Sequence, residues 1–415
     1  MEQTAGTAAR ILGIDLTDGG VTAALSDTEQ TFRFPAAICR DKKNDIWYIG
    51  EEAYEKAMAG KGILTDRLLS LTRKHGTATI RGVRHEGAEL LCLYLQMVRK
   101  SCEEQTGGAP VRCTVIVLPE YRKSEADDLR DSLAAFGFER SRTFVVSRAE
   151  SFLYYVMSQP REVRTGEVAL FDLSELSLEF YELQVTREKR KMYVRADRES
   201  LSEAFTLSIL SGDSGKKLAD QIMSGCAERL MAKKIFSAVF LTGKGFDDFS
   251  WAQSFKRLIC TRRKVFIDPD LFPKGALVRG ARMLSGGGDP GFVCMCSGRA
   301  EASVTVNVEK NGQEMVFPLI SAGDPIDTAG VKLRLLPDGA DEVEISIEPV
   351  GRRKGKTVRL PLSFLPERPP KAGFVDLTAE FPDEKSMKVR LRDAGFGELF
   401  AATDAAIDRE VQFWD

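Results

Sequence analysis

Arg10-Ile-Leu-Gly-Ile-Asp15 is followed at once by Leu16-Thr-Asp-Gly-Gly20 and then by Val21-Thr-Ala-Ala-Leu25, and this stretch decides the fold. The first run is apolar throughout, so it reads as a buried strand ending in a carboxylate. Glycines separate it from Val21 to Leu25, which reads as its hairpin partner. Further along, Gly87 to Gln105 carries Ala88, Leu91, Leu95 and Val98 on one stripe and predicts an amphipathic helix. Val111 to Leu118 is a second buried strand, stopped by Pro119. Ser124 is expected to cap a helix through Phe136, with Asp127 completing the signal. Phe144 to Ser147, Val168 to Leu173 and Ala238 to Thr242 add short apolar strands separated by helical patterns. That alternation means an α/β architecture.

The chain has 415 residues, which predicts two or three compact units. Hydrophobic residues make up 43% and charged residues 29%, the balance of a globular protein and not of a disordered one. The 59 basic and 61 acidic residues leave a net charge of -2, so no overall field favours nucleic acid or an anionic membrane. No apolar run approaches the roughly 20 residues of a spanning helix, and a cytoplasmic protein is expected. Eight cysteines occur without a CxxC pair and with only two histidines, which argues against zinc and for reduced, buried thiols. Cys294-Met-Cys296 reads as structural and not as a redox pair, on the ground that neighbours in a strand point to opposite faces.

Composition changes at Ser285-Gly-Gly-Gly-Asp-Pro-Gly291, and residues 285–298 read as a linker. Beyond it the helical period disappears. Val304 to Val308, Val316 to Ile320, Val331 to Leu336, Val343 to Ile347, Val358 to Leu362, Val375 to Phe381 and Met387 to Leu391 read as strands, with Asn311-Gly312 and Asp338-Gly339 as turns. A β-sandwich over 299–415 is expected. Gly351-Arg-Arg-Lys-Gly-Lys-Thr357 has one residue too few between its glycines for a phosphate loop and lies between strands, so it reads as a basic hairpin turn. Arg262-Arg-Lys264 and Arg352-Arg-Lys354 lack interleaved aromatics and read as solvated loops, so no nucleic-acid partner is expected.

The ordered set of motifs resembles the actin-like ATPase superfamily, in the style of the DnaK-type heat-shock chaperones. Ile11-Leu-Gly-Ile-Asp-Leu16 resembles the first phosphate motif, and Phe34-Pro-Ala-Ala37 with Ile49-Gly-Glu-Glu-Ala53 resembles the stretch after it. Thr114-Val-Ile-Val-Leu-Pro119 and Ser147-Arg-Ala-Glu-Ser-Phe-Leu-Tyr-Tyr155 are similar to the following strand and the first connecting motif. Val168-Ala-Leu-Phe-Asp-Leu173 is similar to the second phosphate strand, Val239-Phe-Leu-Thr-Gly-Lys-Gly245 to the adenosine motif, and Pro273-Lys-Gly-Ala-Leu-Val-Arg-Gly-Ala281 to the second connecting helix. The resemblance implies a two-lobed, ribonuclease H-like nucleotide-binding domain over 1–284 and a substrate-binding β-domain over 299–415, where Phe364-Leu-Pro-Glu-Arg-Pro-Pro370 adds to the likeness. The family's helical lid has no counterpart before Asp415.

By the same resemblance, Asp15 and Asp172 would organise water-bound Mg²⁺ and Glu150 would position the attacking water, while Thr17, Gly19, Gly20, Ser174, Gly243 and Gly245 would line the nucleotide phosphates and adenosine. Arg67 is the cation nearest to the family's catalytic lysine. The sequence departs from the family where the phosphates would sit: Asp18 adds a carboxylate to the first turn, Leu173-Ser-Glu-Leu-Ser177 replaces a glycine run after Asp172 and adds Glu175, and Lys244 interrupts the glycine pair of the adenosine motif. The stretch from Asp172 to Leu241, with Arg187-Glu-Lys-Arg-Lys191 as a charged hairpin turn and Ser200 to Lys234 as helices, is too short for the family's full second-lobe insertion. Three functions follow as expectations: a DnaK-like protein with ATP or ADP and Mg in the cleft and a peptide or protein partner on the β-domain; a pseudo-ATPase scaffold that binds no nucleotide; and, behind both, an actin-like filament protein.

Overall fold

Ile11–Leu16 is buried at all six positions, which requires a strand covered on both faces and paired along both edges. Gly20–Leu25 pairs with it antiparallel, Asp15 opposite Thr22, and Cys113–Leu118 pairs with it parallel, Asp15 opposite Val117. Thr31–Pro35 and Thr143–Ser147 complete the sheet, whose order is Thr143–Ser147, Cys113–Leu118, Ile11–Leu16, Gly20–Leu25, Thr31–Pro35. The computed structural model describes residues 9–414 except 176, 189, 287–290, 311, 327–329, 352 and 370. Part of the expected 285–298 linker, Asn311 of a predicted turn, Arg352 of the basic tract, and Leu176, Lys189 and Pro370 therefore lie outside the described residues.

The chain divides into two compact units, one ending at Phe292 and the other spanning Val293–Asp415. Within the first unit a second sheet runs Lys264–Ile267, Phe236–Thr242, Glu167–Leu173, Leu178–Glu188, Lys191–Ser200. Numbered along the chain, the strands of both sheets stand in one order: fifth, fourth, first, second, third. In both, the fourth strand is parallel to the first and the second is antiparallel to it. In both, the fifth strand leads to a helix, Arg148–Ser158 in one case and Leu271–Leu284 in the other. The unit is thus built from the same strand pattern twice, and Asp15 and Asp172 each stand next to last in the first strand of their sheet.

Each sheet has its own core. Leu90, Leu91, Tyr94, Leu95 and Val98 of the helix Gly87–Thr106 pack with Leu12, Ile14 and Ile116, while Phe171, Phe180, Met223, Trp251 and Phe255 form a second cluster. Ser124 does not cap its helix: the helix is Lys123–Ala134 with Arg122 at the N-cap position and no side-chain cap, and Asp127 pairs instead with Lys123 and Arg130. Ser200 ends a strand, and only Leu207–Ser211, a 3-10 turn, and the helix Asp213–Met231 occupy the stretch expected to be helical throughout. The long hairpin Leu178–Glu188 with Lys191–Ser200 precedes it, its first strand buried at Leu178 to Tyr181 and opening toward the turn.

Small residues let the helix Leu271–Leu284 approach both the helix Arg148–Ser158 and the strand Ile11–Leu16. A Cβ on Gly275 would lie 2.1 Å from the Ser151 carbonyl oxygen, and one on Gly13 would lie 2.4 Å from the Pro273 carbonyl oxygen. Ser151 Oγ donates to the Phe272 carbonyl at 2.5 Å across the same contact. Backbone cannot yield as a side-chain tip can.

The second unit is all β apart from its connections. One sheet runs Gln313–Ile320, Ala302–Lys310, Glu342–Pro349, Lys356–Pro361 and the other Gly330–Leu335, Phe374–Asp383, Ser386–Gly395, Ala406–Gln412, with antiparallel neighbours. Ala406–Gln412 carries no long apolar alternation and was not expected. Val375, Leu377, Ala379 and Phe381 share one buried face, as do Val304 and Val306 with Ile345 and Ile347 on the other sheet. The basic tract at 351–357 joins two antiparallel strands, as a hairpin connection should. Among the described residues no helix is long and apolar enough to cross a membrane.

One buried charge organises the end of the second unit. Asp393 accepts from Arg368 Nη1 and Nη2 at 2.6 and 2.8 Å, from the Gly395 and Thr403 amides at 3.1 and 2.8 Å, and from Thr403 Oγ1 at 2.8 Å. Burial alone would raise its carboxyl, but Arg368 and these N–H groups outweigh burial and hold it well below the usual carboxylate range.

Two outcomes follow. Gly275→Ala should lower stability by about 1–3 kcal/mol in urea unfolding, since overpacking against backbone cannot be relieved locally. Asp393→Asn should cost roughly 3 kcal/mol at pH 7. A depressed native carboxyl stabilises above its unfolded value of about 4 and loses that contribution as pH falls toward the native value, so the gap between Asp393→Asn and wild type should close below about pH 4 in guanidinium melts.

Candidate functional site

The carboxyl ends of the two first strands bring Asp15 and Asp172 to a single cation, and that cation is Arg148. Ser147 ends the strand Thr143–Ser147 and caps the helix that follows, its Oγ accepting from the Glu150 amide at 3.0 Å. Arg148 is therefore the first residue of a helix that starts at the sheet's edge. Its Nε and Nη2 donate to the two oxygens of Asp15 at 2.9 and 2.7 Å, a bidentate fork, and its Nη1 donates to Asp172 Oδ2 at 2.7 Å. Arg148 is 9% exposed, Asp15 7% and Asp172 2%. The Phe272 ring lies 4.5 Å from the guanidinium carbon, and Phe272 packs in turn on Tyr181, so the cluster has an aromatic wall.

Three charges summing to minus one are thus held out of water. Burial works against the Arg148 charge, but Asp15 and Asp172 outweigh it and hold the guanidinium above its ordinary value. Burial pushes the Asp172 carboxyl up to about 6, with Arg148 pulling it down and Asp15 adding to the rise. The surplus negative charge of the triad falls on Asp172, the more deeply buried acid.

Glu150 belongs to a second ion pair. Its Oε1 accepts from Arg279 Nε at 2.7 Å, with Glu150 at 3% and Arg279 at 6% exposure, and the Arg279 guanidinium lies 5.1 Å from the Tyr154 ring centre. This pair ties the two packed helices together, and it turns the Glu150 carboxylate toward Leu271–Leu284.

The expected phosphate turns are closed on themselves. Thr17 Oγ1 accepts from the Gly20 amide at 3.1 Å and donates to the Gly20 carbonyl at 2.9 Å, and the Thr17 amide donates to the same carbonyl. The Gly19 carbonyl accepts from the Ala36 amide. The Asp18 carboxylate accepts from the amide and hydroxyl of Ser70 at 2.7 and 2.5 Å. Ser174 meets Ser177 through its amide at 2.9 Å and its hydroxyl at 2.6 Å. Gly243, at φ +92°, leaves no room: a Cβ there would lie 2.4 Å from the Leu173 carbonyl and 2.6 Å from Asp172 Oδ1. The Gly245 carbonyl accepts from Trp251 Nε1 at 3.0 Å, and Lys244 pairs with Glu175 at 3.1 Å on the surface. Arg67 sits exposed in a left-handed conformation ahead of the helix Leu68–Arg73.

Residues 20–297 match the family described as "Family of unknown function (DUF5716) C-terminal". The chain belongs to the DUF5716 family. Residues 299–413 match a second domain of unknown function, DUF8552. No curated protein matched the sequence. The DUF5716 match takes in Arg148, Glu150, Asp172 and Arg279 but begins at Gly20, past Asp15. Of the nine residues expected to serve nucleotide or metal, the family member's fold joins Asp15 and Asp172 through Arg148, gives Glu150 to Arg279, and ties Thr17, Gly19, Gly20, Ser174 and Gly245 into local bonds. Arg148 and Arg279 are the buried partners of these acids that sequence reading missed. Arg148 is the first residue of a helix after the apolar strand end Val145-Val-Ser147, a place where a surface arginine is equally common, so no local signal marked it.

A magnesium nucleotide does not fit this constellation. Both oxygens of Asp15 and one of Asp172 already accept from Arg148, and only a glycine at position 243 leaves room beside the other Asp172 oxygen. The cluster can hold two sheets and a helix together; it offers no open carboxylate edge to a hydrated cation.

Removing the cation should therefore be worse than removing an anion. Arg148→Met should cost about 3–5 kcal/mol, because two buried carboxylates lose their partner. Asp172→Asn should be near neutral at pH 7.5, since an amide oxygen still accepts from Arg148 and the surplus charge is gone. A carboxyl raised to about 6 contributes stability fully present below its unfolded value of about 4 and lost as pH rises through 6. Wild type should thus gain stability from pH 7.5 to 5 relative to Asp172→Asn, measured by urea unfolding across that range.

Proposed function

We propose that the first unit is a divergent actin-like fold, related to the DnaK-type chaperones, that serves as a nucleotide-free scaffold, and that the second unit carries the contact with a peptide or protein partner. The observation that carries this reading is Arg148 bound to Asp15 and Asp172, a tethered cation in the position that the resemblance gives to Mg²⁺. The repeated strand order of the two sheets supports the fold assignment, because the two aspartates then occupy equivalent places in two equivalent halves. The self-contained turns at Thr17–Gly20 and Ser174–Ser177 support the loss of phosphate binding, since amides already committed to protein acceptors are not donors for phosphate. For the second unit, the edge strands Gln313–Ile320, Lys356–Pro361, Gly330–Leu335 and Ala406–Gln412 support partner binding by addition of an extended segment.

The scaffold reading is tested by thermal unfolding and isothermal calorimetry of the full chain with Mg-ATP and Mg-ADP. No heat and no shift are expected up to millimolar nucleotide. A ligand at 100 times its dissociation constant would add about 2.7 kcal/mol of stability, so a magnesium-dependent rise in Tm would overturn the reading in favour of a working nucleotide cleft.

A further inference from the structure

We infer that Cys294 and Cys296 are a reversible dithiol–disulfide pair at the head of the second unit. Their sulfurs lie 3.7 Å apart in van der Waals contact. The sequence reading put them on opposite faces, but that rule applies to adjacent residues; residues two apart in a strand share a face. Here Val293–Met295 is a strand, the chain bends at Cys296, and the two thiols meet. They are 5% and 6% exposed, within reach of a small oxidant and shielded from bulk protein thiols.

The spacing suits a bond that forms and breaks. Two residues of extended chain span at most roughly 6.6 Å between Cα atoms, and the bend at Cys296 shortens that span. Disulfides accept about 4.4–6.8 Å, so the link can close. The remaining thiols are placed differently. Burial raises Cys39, Cys92, Cys102, Cys113 and Cys226, pushing Cys92 and Cys102 up to about 12 and Cys113 to about 11, which suppresses the nucleophilic thiolate. Cys260 is exposed. A tetrahedral metal is a poorer occupant of the pair, because among the described residues no group of three or more His, Cys, Asp and Glu side chains forms around it.

The oxidant is a peroxide. One thiol gives up its proton and the thiolate attacks a peroxide oxygen; the O–O bond breaks, a sulfenic acid forms, and the leaving hydroxide takes up that proton to become water. The second thiol attacks that sulfur, the S–O bond breaks, and a second water leaves. The two sulfurs supply the two electrons that reduce the peroxide, and exchange with two equivalents of a small thiol restores the pair. Closing the sulfurs from 3.7 Å to about 2.0 Å must move a tightly held segment. A Cβ on Gly323 would lie 2.5 Å from Val293 Cγ1, the Cys296 carbonyl accepts from the Arg299 amide at 3.0 Å, and the Gly298 amide donates to Glu384 Oε1 at 2.6 Å. Oxidation is therefore coupled to the packing of the chain where it enters the β unit.

Tryptic cleavage after Arg282 and Arg299 isolates both cysteines in one peptide with no other cysteine. The full chain is treated with hydrogen peroxide, alkylated under denaturation, digested and weighed. The peptide is expected unalkylated and lighter by about 2 Da, the two thiol hydrogens, and dithiothreitol before alkylation should return it to the doubly alkylated form. Cys294→Ser should abolish the lighter, unalkylated species. Recovery of the wild-type peptide doubly alkylated under peroxide that modifies Cys260, or carrying added oxygen without the disulfide, would overturn the proposal.

Discussion

The first unit depends on one guanidinium. Arg148 joins the last turn of strand in each of two sheets to the start of the helix between them, and it does so from a site with little water. A cation there could not be left out, because two carboxylates at the ends of apolar strands would otherwise face each other across an aromatic wall. Nor could the carboxylates be left out, because an unpaired buried guanidinium costs several kcal/mol. The three residues specify one another, and the junction between the sheets is set by their fork geometry. Arginine suits the role where lysine would not, since two carboxylates on different strands need donors in fixed, divergent directions.

Arg279 repeats the device on the other side. It starts from the helix after the fifth strand of the second sheet, as Arg148 starts from the helix after the fifth strand of the first, and it too closes on a buried acid while stacking on an aromatic ring. Small residues then let the two helices touch at backbone distance. Gly275 against Ser151 and Gly13 against Pro273 bring the elements close enough for short hydrogen bonds and ion pairs to reach. Packing and electrostatics are here one constraint, because a helix held further off would strand both arginines.

Much of this was legible in the sequence, and the parts that were not have a common cause. Buried strands announce themselves by continuous apolar runs, so Ile11–Leu16, Cys113–Leu118, Glu167–Leu173 and Phe236–Thr242 were readable within a residue or two. Each of Asp15 and Asp172 stands at the end of such a run, and the family resemblance is what paired them. Arg148 could not be paired, since its partners lie 133 and 24 residues away and nothing local distinguishes it from a helix-starting surface arginine. The Ser124 cap failed for a related reason: Asp127 had a stronger use, bracketed by Lys123 and Arg130 one turn away on either side. Ala406–Gln412, with Asp408, Arg409 and Glu410 at its centre, is a strand because Ser386–Gly395 beside it supplies the ladder and the opposite charges. Local pattern records burial well and long-range charge pairing poorly.

A tethered cation and a bound one differ in what they permit. A hydrated Mg²⁺ held by two strand-end aspartates comes and goes with nucleotide, and the halves it bridges can part when it leaves. A guanidinium on a helix cannot diffuse away, and to swing out Arg148 must give up three hydrogen bonds and the Phe272 ring that covers it. Its contribution to joining the sheets does not depend on ligand concentration, and the entropy of bringing the cation in was lost once, on folding. An ATPase needs the first arrangement because its cycle is a change in how the halves sit. A scaffold gains from the second, because the surface it presents is then the same at every nucleotide level in its surroundings.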